Sequence, residues 1–429
     1  MIDRRLPISP EERAPLLNVR REAKMTSSAH AYVRGNTRRF YKWVTGRTGR
    51  SLPQAPSIWI GGDSHVGNFG PVASKSGEVA IELRDLDQTV IGSPAYDVLR
   101  LSLSMAMAVR ASNLPGAVTA RVVEAIARGY EIVLEAHASQ REFVLEKPPA
   151  QVLDILRTAG RRSRKQLFTD RLGKHPRIIP MGKRFWPLTS QERAAVEELV
   201  ASKKVKKLVT GLASRADGAP VKLVDAAYWV KGCSSLGLWR CAAIVEVGGK
   251  SKKPKGKGEG EASKLALIDI KEARPALAPK TKNAKAHHDG ERVVEGARIL
   301  SPSLGERMAP AKLLDRSVFV RELLPQDLKF ELNKLTERGA LAMAAYLASV
   351  VAIAHARQLD QDAGAKWLES FRRKQAPNMK APAWLWASTV DLVGLHEAAY
   401  LEHCREHALG FPEVIAQQKA IVPLHVSGD

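Results

Sequence analysis

The sequence has few cysteines and few aromatic residues, and its acidic residues are outnumbered by basic ones. Its three cysteines (Cys233, Cys241 and Cys404) have neither metal-ligand spacing nor an even number for disulfides, which favours a reducing cytoplasm. Aromatic residues make up only 6% of the chain and are not interleaved with the basic runs, so a base-stacking surface is not indicated. The formal net charge of +22 favours polyanionic partners without choosing among nucleotides, nucleic acid and anionic membranes.

Membrane signals are also scarce. The N-terminal residues 1–5 are charged and lead into no apolar segment, so no secretory signal is expected. One almost wholly apolar run, residues 339–355, is at the short limit for a membrane span, which needs about 20 apolar residues. We expect this run to be a buried core helix. The sequence therefore predicts no transmembrane span and a cytoplasmic location.

The most informative segment is residues 62–68, Gly-Asp-Ser-His-Val-Gly-Asn, which is followed by Asp85 and Asp87. Phosphoryl transfer from a nucleotide needs a carboxylate to orient the attacking hydroxyl, and amide and carboxylate oxygens to hold magnesium against the phosphates. Asp63 is the candidate for the first role. Asn68 and Asp85 are the candidates for the second, and Asp87 either assists magnesium or caps its loop.

Short strands are predicted just before these two groups of polar residues. Residues 57–60 and 79–83 should be strands that bring both groups to one edge of a sheet. His65 is interpreted as a support for the first loop, with metal ligation as the alternative. Asp97 stands at the start of the next helical segment, where it either caps the helix or braces the catalytic loop.

A second group of motifs follows later in the chain. Strands predicted at 226–230 and 238–247 flank a loop with glycines at both ends, and a third predicted strand, 264–270, ends at Lys271. This order is typical of a kinase small lobe, where loop N–H groups cover the phosphates and the lysine neutralises them. The loop residues assigned to nucleotide binding are Gly232, Ser234 and Gly237. Serine replaces the usual middle glycine, so the backbone there must tolerate a Cβ atom.

An acidic residue on the following helix should hold Lys271. A helix is predicted from residue 291 to about 300, and Glu291 and Glu295 share one of its faces because they lie four residues apart. Glu295 is nearer an inward-facing position, since apolar residues surround it in the sequence. The choice between the two glutamates stays open.

These segments resemble the catalytic segments of aminoglycoside phosphotransferases and related kinases. Those enzymes carry an H-G-D-x-H-x-x-N loop, then a strand ending in I-D, then a G-x-G-D-P-x-Y-D stretch. The corresponding segments here are residues 61–68, 81–87 and 91–97. Counting back from Pro94 places Asp85, rather than Asp87, at the magnesium-binding position of that family.

The chain as a whole resembles an uncharacterised bacterial family, domain of unknown function 2252. Besides the catalytic loop, this resemblance rests on residues 24–25, 32–35 and 271–275. It alone suggests that Arg34 contacts phosphate or substrate, whereas the residue type favours a surface salt bridge. The family name itself implies no activity.

The resemblance to kinases implies an α+β, protein-kinase-like two-lobe fold with extra helices at both ends, but the motifs occur in a different order. The catalytic and magnesium loops come first here, and the glycine loop, the lysine and the long helix 341–357 come second. We therefore expect a circularly permuted kinase fold, which is physically acceptable where termini lie close together at the surface. The predicted parts are an N-terminal helical extension (1–55), large-lobe loops and helices (56–220), a small β-rich nucleotide-binding lobe (221–330) and C-terminal helices that complete the large lobe (331–429).

The sequence thus predicts an ATP- and magnesium-dependent phosphotransferase that acts on a hydroxyl of an unidentified, small-molecule acceptor. The residues expected to carry catalysis are Asp63, Asn68, Asp85 and Lys271. A nucleotidyltransferase on the same fold is one alternative. A catalytically inactive, basic nucleic-acid-binding protein is another, and the runs 161–165 and 203–207 would then supply non-specific polyanion contacts. A two-metal phosphoesterase is disfavoured, because no downstream segment offers the further His and Asp ligands it needs.

Overall fold

The computed structural model describes residues 9–46, 52–143, 145, 148–212, 215, 218–248, 264–279, 288–330 and 335–407. Three helices open this part of the chain: α1 (Pro10–Met25), α2 (Ala29–Gly35) and α3 (Thr37–Thr45). Helix α1 begins with a capping box, in which the Ser9 side chain accepts from the Glu12 N–H and the Glu12 carboxylate accepts from the Ser9 N–H.

Two antiparallel ribbons follow the three helices. Their strands are β1 (Ile58–Ile60), β2 (Phe69–Ala73), β3 (Val79–Leu83) and β4 (Val90–Gly92). Strand β1 pairs with β4, and β2 pairs with β3, so the predicted strands at 57–60 and 79–83 do not share a sheet edge. That prediction is wrong. It failed because short apolar strands carry no sequence signal for their pairing partners. The two loops still meet, since the β2–β3 ribbon places Asn68 beside Arg84, whose N–H donates to the Asn68 carbonyl at 2.7 Å.

A helical layer and the first strand of the main sheet come next. The elements are α4 (Pro94–Ala111), α5 (Gly116–Ala138), α6 (Ala150–Arg161), α7 (Arg164–Leu172), β5 (Phe185–Trp186), α8 (Ser190–Ala201) and α9 (Lys203–Thr210). Helix α4 is buried along nearly its whole length, because the chain from Val98 to Val109 is apolar on almost every side.

The main sheet is antiparallel and six-stranded, with the order β5-β6-β7-β8-β10-β9. Its further strands are β6 (Val221–Trp229), β7 (Arg240–Val247), β8 (Leu265–Glu272), β9 (Met308–Leu313) and β10 (Arg316–Leu323), with α10 (Asp289–Leu300) and α11 (Pro302–Gly305) inserted between β8 and β9. Both faces of the sheet are covered, since Ile268 and Ile270 of β8 pack in one apolar cluster and Leu265 and Leu267 in another. Every residue of β8 is therefore buried.

Three helices end the described chain: α12 (Glu337–Ala356), α13 (Gln361–Arg372) and α14 (Ala383–His407). Helix α12 is the one described helix that is long and apolar enough to cross a membrane, but most of it is buried inside the protein. It packs closely on α5, where a Cβ atom at Gly129 would lie 2.2 Å from the Ala345 carbonyl oxygen. The expectation of a buried core helix is confirmed, and this position is consistent with a soluble protein. The fold is a mixed α+β fold, as predicted.

His396 of α14 makes the fold sensitive to acid. Burial, with Arg100 and Arg39 nearby, lowers the pKa of this imidazole to about 3 from 6.5. Between those values the unfolded chain binds the proton and the folded chain does not, so stability falls by about 1.4 kcal/mol for each pH unit below 6.5. Urea unfolding at pH 6.5 and pH 5 should show wild type losing about 2 kcal/mol more than His396→Leu. His175→Leu, at an exposed position, is the control and should behave as wild type.

Candidate functional site

The first turn of α4 holds the loop that carries Asp63. Asp97 accepts from the N–H groups of Gly61 (2.7 Å) and Gly62 (2.9 Å), and His355 at the end of α12 lies 3.1 Å from the same carboxylate. Gly62 has a φ of +72°, and a Cβ atom there would lie 2.1 Å from the Gln88 carbonyl oxygen. Of the two roles left open for Asp97, the structure shows the brace on the loop.

The Asp63 carboxylate is buried at the cavity wall, and each of its oxygen atoms accepts one hydrogen bond. Its Oδ1 accepts from Arg100 Nε at 2.7 Å, and its Oδ2 accepts from Thr37 Oγ1 at 2.9 Å. Burial raises the pKa of Asp63 above its usual value, and the Arg100 guanidinium opposes this shift. Asn68 Nδ2 donates to the Asp63 carbonyl at 2.9 Å, so the amide is oriented by its nitrogen and its oxygen remains available as a ligand.

His65 stands beside Asp63, with its Nε2 atom 3.9 Å from Asp63 Oδ2. Burial and the neighbouring Arg100 and Arg34 guanidinium groups lower the pKa of His65 well below its usual value, so the imidazole is neutral. Its Nδ1 atom has no hydrogen-bond partner among the described residues.

Asp85 and Asp87 share one cation. Lys271 Nζ lies 3.5 Å from Asp85 Oδ1 and donates to Asp87 Oδ2. Enclosure by the surrounding protein raises the pKa of Asp87 to about 6, and the charge of Asp85 adds to this shift. Enclosure also acts to raise the pKa of Asp85, but Lys271, the contact with Asp87 and the charges of Arg240 and Arg321 together outweigh it and lower that pKa. The Asp85 side chain keeps 48% of its surface exposed, whereas that of Lys271 keeps only 4%.

The predicted ion pair between Lys271 and a glutamate of α10 is not formed. Within the described part of the chain, Lys271 pairs with two aspartates, whereas Glu291 is exposed on α10 and the half-buried Glu295 interacts elsewhere. Helix α10 instead turns Arg292 towards the site. This guanidinium donates to the carbonyl oxygens of Thr89, Asp87 (3.0 Å) and Arg274 (2.7 Å), and so fixes the backbone of the loop that carries the two aspartates.

The glycine loop lies opposite the two aspartate loops. Gly232 and Gly237 have φ values of +119° and +103°, which an L side chain rarely adopts, whereas Ser234 is not among the residues with positive φ. The Cβ atom of Ser234 is therefore tolerated where a glycine was expected. Lys24 at the end of α1 donates to the Gly232 carbonyl at 2.8 Å and holds the start of the loop.

One cavity of about 360 Å³ lies between these segments. Its walls include Ser234, Ser235 and Leu238 of the glycine loop and the predicted residues Asp63, His65, Asn68, Asp85 and Asp87. Gly232 and Gly237 flank the loop residues that line it. Lys271 is not among the residues that line this cavity, but it contacts two that are, Asp85 and Asp87.

A family model described as "Uncharacterized protein conserved in bacteria (DUF2252)" matches residues 13–406, which include every segment of this site. The chain belongs to the DUF2252 family. This confirms the family part of the resemblance found in the sequence. No curated protein and no solved structure matched the chain.

Some residues at this DUF2252 site were missed by sequence reasoning. Arg21 and Arg38, from α1 and α3, line the cavity together with Thr37. Nothing in the sequence pattern of these amphipathic helices shows which face meets a cavity formed by residues much later in the chain. Arg100 did carry a signal, because a charged residue inside the apolar run of α4 requires a buried partner, which is Asp63.

The oxygen atoms at the centre of the DUF2252 site suit magnesium. The candidate ligand atoms are the amide oxygen of Asn68, the carboxylate of Asp85, which is exposed and also faces Lys271, and Asp87 Oδ1. This last atom is buried and has no hydrogen-bond partner among the described residues. Carboxylate and amide oxygens are the hard ligands that Mg²⁺ prefers, and Mg²⁺ is usually held by one or two carboxylates together with substrate phosphates. The residues present therefore fit the ion.

Proposed function

We propose that this protein is an ATP- and magnesium-dependent phosphotransferase that acts on a hydroxyl group of a small-molecule acceptor. The observation that carries the proposal is the meeting of Asp63, Asn68, Asp85 and Asp87 at one cavity, with Lys271 paired to the two aspartates behind it. Lys271 lies about 200 positions after the loop that carries Asp63, and the same residues were selected from the sequence by motif chemistry together with the resemblance to kinases.

Each residue has a role that its contacts support. Asp63 orients the acceptor hydroxyl and receives its proton, and burial, which raises its pKa, makes the carboxylate a better proton acceptor. Asn68, Asp85 and Asp87 hold magnesium, which when bound neutralises the phosphate charge. Lys271 contacts the nucleotide phosphates after exchanging an aspartate partner for a phosphate oxygen. The loop from Gly232 to Gly237 covers the nucleotide with its backbone.

We further propose that the chain has a circularly permuted, kinase-like two-lobe arrangement. The antiparallel sheet carries the glycine loop between β6 and β7 and Lys271 on β8, which is the local order of a kinase small lobe. The end of the long helix α12 supports the catalytic loop through His355 and Asp97. In an unpermuted kinase that helix leads directly into the catalytic loop, and here it reaches the loop in space.

The size of the cavity supports a small acceptor, and the unpaired cysteines support a cytoplasmic location. About 360 Å³ lies at the lower end of the range for ligand pockets, which suits a small ligand better than a folded protein segment. The reducing environment indicated by three unpaired cysteines is that of the cytoplasm.

Thermal unfolding and product mass test this proposal together. The unfolding midpoint should rise when ATP and Mg²⁺ are both present and stay unchanged with either alone, because the proposed site binds the two together. A ligand at a hundredfold its Kd stabilises by about 2.7 kcal/mol, which gives a measurable rise. Incubation with ATP and a panel of polyols and amino sugars should add one phosphoryl group to an acceptor. Addition of a whole nucleotide would instead identify a nucleotidyltransferase. No shift with Mg²⁺ and ATP, combined with a salt-sensitive shift on RNA, would favour the nucleic-acid-binding alternative.

A further inference from the structure

Two histidines near the end of α14 face a glutamate of α1. His403 and His407 are four residues apart, so they lie on one face of the helix, and Glu22 stands in the last turns of α1. One potential ligand atom from each of the three residues can be chosen so that all lie within 4.8 Å of one another. None of these residues has a part in the proposed phosphotransferase chemistry.

The tautomer of His403 is fixed by a backbone contact. Its Nε2 atom lies 3.1 Å from the Glu22 carbonyl oxygen, which can only accept, so Nε2 carries the proton. In the neutral ring the lone pair is then on Nδ1, as a metal ligand requires. A backbone carbonyl on the second ring nitrogen is also the usual support of a metal-bound histidine.

The unprotonated nitrogen of His403 lies near a carboxylate oxygen of Glu22. Nδ1 lies 3.8 Å from Glu22 Oε2, which is too long for a hydrogen bond. Ligand atoms bound about 2.1 Å from a tetrahedral zinc ion lie about 3.4 Å apart, so a small side-chain rotation would fit the ion between these two atoms. The other oxygen, Oε1, is occupied by Arg21 at 2.8 Å, and this contact orients the carboxylate without using Oε2.

The neighbourhood holds these side chains in place. The His403 ring is buried against Tyr32, with ring centroids 5.1 Å apart, and against His407 at 4.5 Å. The Tyr400 hydroxyl donates to the Thr26 carbonyl at 3.0 Å, which fastens α14 to the end of α1. The C-terminal end of a helix carries a partial negative charge, so the end of α1 favours a cation at this position.

We propose that Glu22, His403 and His407 bind one zinc ion that fastens α1 to α14. Two imidazole nitrogens and one carboxylate oxygen are a three-ligand set typical of zinc, with the fourth position left for water. The site adjoins the main cavity, because Arg21, Glu22 and Met25 of α1 all line it. Zinc would thus fix the wall of the cavity that α1 supplies.

Isothermal titration of the full, chelator-treated chain with zinc chloride tests the proposal. Wild type should bind one ion, and Glu22→Gln and His407→Ala should each weaken binding by about 100-fold, because losing a direct ligand costs at least as much as losing an outer-shell partner. Glu22→Gln keeps the shape of the side chain. His407 is 37% exposed, so its replacement leaves the helix packing intact.

His175→Ala is the matched control, since this exposed histidine lies in the segment after α7 and contributes nothing to the proposed site. It should bind zinc as wild type does. Titration of wild type with Co²⁺ should also produce the visible absorption bands of a tetrahedral centre, and both site variants should lose them. Equal zinc affinity in wild type and both site variants, or no binding by wild type, would overturn the proposal. Thermal unfolding of the metal-free proteins verifies that each variant is folded.

Discussion

Asp85→Asn is expected to abolish magnesium-dependent ATP binding and turnover while leaving the protein folded. The substitution keeps the size of the side chain and removes the charge that faces the cavity. A metal ion is worth several kcal/mol of transition-state stabilisation, so ATP turnover should fall by on the order of 10³-fold. The measurements are Mg²⁺-dependent ATP hydrolysis and the shift of the unfolding midpoint with Mg²⁺ and ATP.

The stability of the ligand-free variant separates loss of function from loss of fold. Asp85 and Asp87 share Lys271, and the charge of Asp85 contributes to the raised pKa of Asp87. Removing Asp85 relieves this repulsion but also removes a charge that Lys271, Arg240 and Arg321 stabilise in the folded protein, so the midpoint without ligand should fall modestly while unfolding stays cooperative. Asp154→Asn makes the same chemical change at a side chain that is 73% exposed, and it should leave binding and turnover intact. Full activity of Asp85→Asn would contradict the proposed magnesium site.

Asp97→Asn is expected to have the largest effect on stability. This carboxylate is wholly buried and accepts from two backbone N–H groups, with His355 as its third partner. An asparagine keeps one acceptor oxygen and turns an NH₂ group towards a donor, which leaves buried groups unpaired. The cost should be about 3 kcal/mol or more, because hydrogen bonds to charged groups contribute about 1.5–3 kcal/mol each. Chemical denaturation measures the loss.

Activity should fall with this substitution as well, because the Gly61–Gly62 backbone that positions Asp63 loses its anchor. Asp362→Asn provides the comparison, since Asp362 forms only an exposed ion pair with Lys366 at 2.7 Å and should change stability by less than about 0.5 kcal/mol. Wild-type stability in Asp97→Asn would show that the brace contributes nothing to the fold.

The sequence predicted the central strands β7 and β8 of the main sheet well, and the physical reason is their burial. The strand expected at 238–247 contains β7, and the one at 264–270 overlaps nearly all of β8. Sheet strands covered on both faces appear in the sequence as continuous apolar runs, which stand out against the polar loops around them. The strand expected at 79–83 corresponds to β3, but its pairing with β2 could not be predicted from five residues that alternate only weakly.

The residues of the site were predicted better than their partners. Asp63, Asn68, Asp85 and Asp87 follow from the chemistry that phosphate and magnesium require, and the structure brings them to one cavity. The prediction that a glutamate of α10 pairs with Lys271 was wrong. The rotation of α10 about its axis depends on how Val293 and Val294 pack in the core, which the sequence does not show. That rotation is decided by tertiary contacts, and it turns Arg292 rather than a glutamate to the site.

The ion pair between Lys271 and Asp85 joins residues 186 positions apart in the chain. On a ribosome that adds 5–20 residues per second, Asp85 exists for roughly 10–40 s before its lysine is made. His355, which supports the anchor of the catalytic loop, is synthesised later still. The nascent chain consequently cannot assemble the site until residue 355 has been synthesised, long after the loop that carries Asp63.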